Sequence, residues 1–226
     1  MGENKYFINN YGGLHGTDIV TPIGRAAFLY LNKPNVKFDP PKYGLTFLFD
    51  KADEQVKTQL RAIQALCVDM AEEFCKNLFA KEKPKMQYED FKKSIMAGFA
   101  AQPIFRDGNT QKYDGFADHW YIVAKNEKRS GFTIMDDQIA EAFESGMLVR
   151  GQVQPYLDKK GFSYKLRGIR LVKDDGKRFT VAPDGGSLLR GIDDAVAAVT
   201  IAGDASVGQA FDNAVGATAG AAIDVL

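Results

Sequence analysis

The chain has 226 residues, 45% of them hydrophobic and 12% aromatic, which is enough for one sizeable core, and its 29 Lys+Arg balance 29 Asp+Glu. No apolar run approaches a membrane span, nothing near the start reads as a signal peptide, and the Gly-rich motifs that cradle nucleotide phosphates or dinucleotides are absent. The neutrality is uneven: residues 1–180 carry 28 basic against 23 acidic side chains, whereas 181–226 carry Arg190 against six Asp. A basic body is cancelled by an acidic tail.

Residues 1–20 are rich in Gly and Asn and read as an arm. Thr21-Pro22-Ile23-Gly24-Arg25 opens a strand through Phe28, Tyr30 and Leu31, which Asn32-Lys33-Pro34-Asn35 should stop. A second strand from Lys42 to Asp50 puts Tyr43, Leu45, Phe47 and Phe49 on one face, and the two strands are expected to pair. Asp53 is a candidate cap for the longest element. In that helix Val56, Leu60, Ile63, Leu66, Cys67, Met70, Phe74 and Leu78 keep helical spacing to about residue 80. Cys67 and Cys75 have no spacing suited to a zinc set and read as reduced core thiols. A Lys-rich break at 81–85 precedes a short helix around Tyr88 to Met96.

Residues 103–109 read as a turn bearing Phe105 and Arg106, residues 119–125 as a strand, and residues 128–132 as a basic loop. A short helix is expected over 136–145, with Ile139 and Phe143 on one side and Gly146 as its terminator. It delivers the chain into a hairpin running from 146 to 170. With a loop at 158–161, Leu157 faces Phe162, and one face carries Leu157, Phe162, Pro155, Tyr164, Val153 and Leu166, with Gly151 opposite Gly168. The other face carries Tyr156, Ser163, Gln154, Lys165, Gln152, Arg167 and Arg150. The hairpin therefore offers one apolar side to a core and one cationic, amide-bearing side to something else. Phe179-Thr180-Val181 is a candidate further strand. From 182 to the end, twelve Ala and seven Gly among 45 residues read as a flexible tail. The expected division is a domain over 1–181 and a Gly/Ala-rich acidic tail over 182–226.

Binding a single strand of nucleic acid needs cations for phosphates and rings on which bases stack. The two types are interleaved here: Arg25 with Tyr30, Phe105 with Arg106, Trp120 with Lys125, Lys128 and Arg129 with Phe132, and Tyr156 with Arg150, Lys165 and Arg167. Trp120 and Tyr121 point to opposite faces of their strand, so at most one belongs to such a surface. Lys159 at the hairpin tip reads equally as a contact or as a solubilising charge. Asp107, Asp114 and Asp118 could hold a metal in a nuclease, but each sits in a Gly-bearing turn where Asp serves backbone geometry. His15 and His119 have no second metal ligand beside them. A structural protein whose basic face packs on an acidic partner is the other alternative.

The segments at Thr21–Arg25, Tyr43–Lys51, Pro103–Asn109, Lys125–Gly131 and Ser145–Gly146 leading into the hairpin resemble bacteriophage single-stranded DNA-binding proteins of the OB-fold type, a family with members once catalogued only as a domain of unknown function. The similarity runs from about residue 18 to 173. It implies a mainly β (α+β) architecture: a five-stranded OB barrel elaborated by one long helix and short helices. It also implies non-enzymatic, largely sequence-independent binding and protection of single-stranded DNA in phage replication or recombination, in the cytoplasm of the infected host. The family's cleft maps onto Arg25, Tyr30, Arg106, Lys125, Arg129, Arg150, Tyr156, Lys165 and Arg167. Phe105, Trp120, Lys128, Gln152, Gln154 and Lys159 join these as candidate DNA contacts from the residue pattern. No catalytic residue, metal, cofactor or membrane is expected. The expected partners are single-stranded DNA, double-stranded DNA more weakly, a polymerase, helicase or primase reached through the tail, and a second copy of the chain. In the tail the six Asp are scattered rather than gathered in the dense acidic run common in the family.

Overall fold

In the computed structural model, residues 7–8, 13–113 and 115–179 are described. Ten strands form one sheet: β1 (Phe7–Ile8), β2 (Leu14–His15), β3 (Ile19–Val20), β4 (Gly24–Asn35), β5 (Lys42–Asp50), β6 (Arg106–Asp107), β7 (His119–Asn126), β8 (Thr133–Ile134), β9 (Leu148–Asp158) and β10 (Gly161–Lys173). Five of them close a ring in the order β4, β5, β7, β10, β9 and back to β4. Every pairing in the ring is antiparallel except β7 with β10. Numbering the ring strands in chain order gives 1-2-3-5-4-1, the closed Greek-key barrel of an OB fold.

Alternation decides what fills the barrel. Phe47 and Phe49 on β5, Ile122 and Ala124 on β7, Val149 and Val153 on β9, and Leu166 and Ile169 on β10 all point inward and are buried. Gly151 belongs to the same layer, because a Cβ there would lie 2.3 Å from Cζ of Phe47. Its missing side chain is the space that Phe47 occupies.

Two helices are inserted between the second and third barrel strands: α1 (Glu54–Glu82) and α2 (Tyr88–Gly98). Asp53 caps α1 by accepting from the backbone N–H of Gln55 and Val56, at 2.8 and 3.1 Å. Lys83, left-handed at φ 49°, ends it. The stripe expected from spacing is the buried stripe. Val56 and Leu60 join the barrel core, and Ile63 to Leu78 pack with Leu14, Leu157 and Phe162. Among the residues of that pattern, Leu66 is only partly buried. Cys67 and Cys75 are free and buried, and burial pushes both thiols up to about 12. Among the described residues, no helix is long and apolar enough to cross a membrane.

The hairpin keeps the expected register from Leu157 opposite Phe162 to Val153 opposite Leu166. Three details differ. Asp158 also pairs with Gly161, so the turn is Lys159-Lys160, with Gly161 at φ 113°. A bulge at Arg167 then sets Gly168 opposite Gln152, Ile169 opposite Gly151 and Arg170 opposite Arg150. Gly151 and Gly168 therefore do not face each other. Each glycine answers a different neighbour, Phe47 for Gly151 and the Met135 methyl for Gly168.

The expected helix over 136–145 is also corrected, to a single 3-10 turn at Ala140–Ala142. Asp136 and Asp137 are left-handed, and the Gln138 amide exchanges two hydrogen bonds with the Leu171 backbone, at 3.1 and 2.8 Å. This segment lies along β10 as a strand neighbour would. The described part of the N-terminal arm is likewise ordered: β2 and β3 pair with β9 in line with β4. Of the candidate strand at 179–181, Phe179 lies in none, and 180–181 fall outside the described residues, as does the whole tail.

Candidate nucleic-acid interface

The parallel pairing of β7 and β10 puts Lys125 directly beside Lys165 on the outside of the barrel. A groove of about 680 Å³ opens over this pair. Its floor comes from Tyr121, Ile122, Val123, Phe162 and Tyr164, and its rims carry Lys42, Arg106, Lys128, His15 and Tyr156. Five Lys and Arg side chains line it against one carboxylate, that of Glu127. It runs from the end of the β4–β5 loop, across the third barrel strand, toward the hairpin. OB folds take oligonucleotides on the face of the second and third strands and the loops joining strands 1–2 and 4–5. The groove shares with that surface the third strand and the end of the first of those loops.

Each rim is fixed by identifiable bonds. The Tyr164 hydroxyl donates to the Ile104 carbonyl at 2.7 Å, and Phe162 N–H donates to the Gln102 carbonyl at 2.8 Å, which ties residues 102–106 to β10. Burial raises the Tyr164 pKa well above its usual value, with Cys67 adding to the effect, so the hydroxyl stays a donor. Arg106 pairs with Tyr121 across β6 and β7; burial raises the pKa of the Tyr121 hydroxyl and the Arg106 charge partly offsets it. On the other rim the buried Asn126 amide donates to the carbonyls of Gly131 and Leu166, at 2.9 Å each, and accepts from Lys128 N–H at 3.1 Å. One side chain thus shapes the basic loop and pins it to β10, leaving Lys128 exposed.

Tyr156 stands on the hairpin side with its ring 4.8 Å from that of His15. Gly13 backs it closely, since a Cβ there would fall 2.1 Å from the phenolic oxygen. Burial, then the neighbouring Lys165 ammonium, holds the His15 pKa below its ordinary 6.5.

Of the residues singled out in the sequence, Arg106, Lys125, Lys128, Tyr156 and Lys165 converge on this groove. A second group lies on the outer hairpin face. There Gln152 and Gln154 donate to Asp18 and to the Gly16 carbonyl, at 2.8 and 3.1 Å, and Arg167 reaches Asp18 at 3.5 Å. The rest are placed elsewhere. Arg25 is bidentate to Asp175 and donates to the Gly146 carbonyl. Tyr30 packs beside Phe28 and Phe179 at a separate pocket. Phe105 packs between the barrel core and the helix core. Trp120 packs on the barrel core with the Lys51 ammonium 5.6 Å from its ring. Arg129 lies over the Phe132 ring, and Lys159 pairs with Glu82 at 2.5 Å.

The groove also takes in residues not singled out as contacts in the sequence, among them His15, weighed there only as a metal ligand, and Lys42. The Lys125 ammonium sits 4.1 Å from the Phe38 ring. Alternating Lys37, Phe38 and Lys42 is the same interleaving that marked the other candidates. Asp107 bonds Lys51 at 2.5 Å and Asn109 N–H at 2.8 Å, and Asp118 is left-handed at φ 57°. Both serve turns, and Asp114 lies outside the described residues. Among the described residues, no three or more His, Cys, Asp or Glu side chains gather as a metal set.

No family model matches the sequence, and no curated protein matches it at a significant level. Solved structures are similar to it. The single-stranded DNA-binding protein from bacteriophage Enc34 is 16% identical, with a TM-score of 0.41 over 81% of this chain and 92% of that one. The same protein in complex with single-stranded DNA is 17% identical, with a TM-score of 0.39 over 77% and 94%. The gp2.5 single-stranded DNA binding protein of bacteriophage T7 is 12% identical, with a TM-score of 0.42 over 74% and 96%.

Proposed function

We propose that this chain is a non-enzymatic single-stranded DNA-binding protein that coats exposed strands during phage DNA replication or recombination in the host cytoplasm, with little sequence preference. The observation that carries the reading is the groove over Lys125 and Lys165, with Tyr156 on its rim. Two adjacent like charges on neighbouring strands favour an anion lying against both. A sugar-phosphate backbone supplies that anion, and the ring beside it accepts a base face whatever the base. A duplex keeps its bases stacked inside and can use only the cations, so it binds more weakly. The resemblance along residues 18–173 supports DNA as that strand.

The test is fluorescence anisotropy of a labelled oligo-dT strand titrated with the full chain over a salt series. Binding at low salt that weakens linearly in log–log form, and is reduced by Lys125→Gln with Lys165→Gln, supports the reading. No binding at low salt would sink it.

A further inference from the structure

Beyond the groove, the cations do not stop at Lys165. The bulge at Arg167 keeps both Arg167 and Arg170 on the outer face of β10, and Arg170 pairs directly with Arg150 of β9. A direct cross-strand pair of like charges is destabilising unless something negative is nearby. The chain supplies that charge itself. Asp136 holds the Arg170 Nε at 2.6 Å, and one oxygen of Asp18 is shared between the Gln152 amide, at 2.8 Å, and the Arg167 Nε, at 3.5 Å. A carboxylate oxygen shared between an amide and a guanidinium is placed as a phosphate oxygen would be. Arg150 is the member left over: its Nε is shielded from water and has no hydrogen-bond partner among the described residues.

We propose that this outer hairpin face is a second phosphate track continuous with the groove, on which Asp18 and Asp136 stand in for phosphates when no strand is bound. The inference rests on the groove being a single-strand site. A short strand fills the groove alone. A longer one leaves it past Lys165, displaces Asp18 from Arg167, and brings a phosphate to the Arg150–Arg170 pair. The acids keep a strongly cationic face folded and soluble, and they compete with the far part of the strand. They therefore set how affinity grows with strand length.

The experiment compares labelled oligo-dT of about 6 and about 16 nucleotides, lengths within the range covered by one OB fold, on the full chain across a salt series. Asp18→Asn keeps the shape and a hydrogen bond to Gln152 while removing the charge. It should tighten the long strand about twofold to fivefold, the scale of an exposed ion pair, and leave the short strand unchanged. Arg150→Gln with Arg170→Gln should lower the salt slope for the long strand by about 1.4, two phosphates' worth, again sparing the short one; the double Arg→Lys variant should restore the slope. Equal salt slopes for both lengths in the unaltered chain, or no gain from Asp18→Asn, would overturn the second track while leaving the groove standing. If neither strand binds, both readings fall.

Discussion

Lys125 on β7 and Lys165 on β10 are direct neighbours in a parallel ladder, although 40 residues separate them in the chain. Their roles in the fold differ. The Lys125 ammonium rests over Phe38 at 4.1 Å, whereas Lys165 is exposed and makes no ion pair among the described residues. Lys165→Gln should therefore leave thermal stability unchanged or slightly raised while lowering the single-strand salt slope by about 0.7. Lys125→Gln should lower the slope equally but cost about 0.5–1 kcal/mol of stability through the lost cation–π contact. Equal melting temperatures for the two variants would refute this division.

The Tyr156 ring is held by what stands behind it. Tyr156→Ala should weaken single-strand binding by about 1–3 kcal/mol, the range for one stacked base. Tyr156→Phe should retain most of it. Gly13→Ala tests the same ring from a distance, because its new Cβ would lie 2.1 Å from the phenolic oxygen and force the ring to move. Weakened binding with an unchanged fold, seen by anisotropy and circular dichroism, is expected. Full affinity in both Gly13→Ala and Tyr156→Ala would remove Tyr156 from the site.

The parts of this molecule that alternation or helical spacing decides were legible in the sequence: the α1 stripe, and the hairpin register from Leu157 to Val153. What was not legible depends on partners far along the chain. The bulge at Arg167 separates Gly151 and Gly168, whose own neighbours are Phe47 and Met135, and neither neighbour is visible in a two-strand pattern. The helical pattern over 136–145 gives way because Gln138 bonds the Leu171 backbone, 33 residues away. Arg25 reads as a free cation until its partner appears at Asp175, 150 residues on. Within the site, Tyr156 and Lys165 could be assigned to one face, but only the closing of the barrel shows that Lys125 lies beside Lys165.

His15 makes both stability and binding respond to pH, with opposite signs. Burial and Lys165 hold its pKa below 6.5 in the folded chain. As pH falls through 6.5 the unfolded chain takes up the proton first, so the free protein loses stability on that side. A phosphate backbone in the groove favours the imidazolium, so binding takes up a proton and affinity rises over the same interval. Between about pH 7.5 and about pH 5.5, oligo-dT should bind more tightly while the free protein melts lower. His15→Gln should flatten both trends. Affinity independent of pH in the unaltered chain would show that His15 does not face the strand.

Gly151→Ala tests the barrel apart from the groove. Its Cβ would meet the Phe47 ring at 2.3 Å for Cζ and 2.7 Å for Cε1. Phe47 is fully buried and stacks against Phe49 with ring planes 1° apart. Both strands are also held in the ring by ladders, β9 by β10 and β5 by β4 and β7, so neither backbone can yield easily. Overpacking of this kind costs about 1–3 kcal/mol, and each kcal/mol lowers the melting temperature of a chain this size by about 2–4 °C. Phe47→Leu in the same chain returns the volume, so the double variant should be less destabilised than the two single effects added together, a coupling a thermal double-mutant cycle reads directly. The groove lies on the outside of the barrel and should keep its affinity below the melting transition. Additive losses in the cycle would mean that Gly151 is required for its backbone rather than for the space it leaves to Phe47.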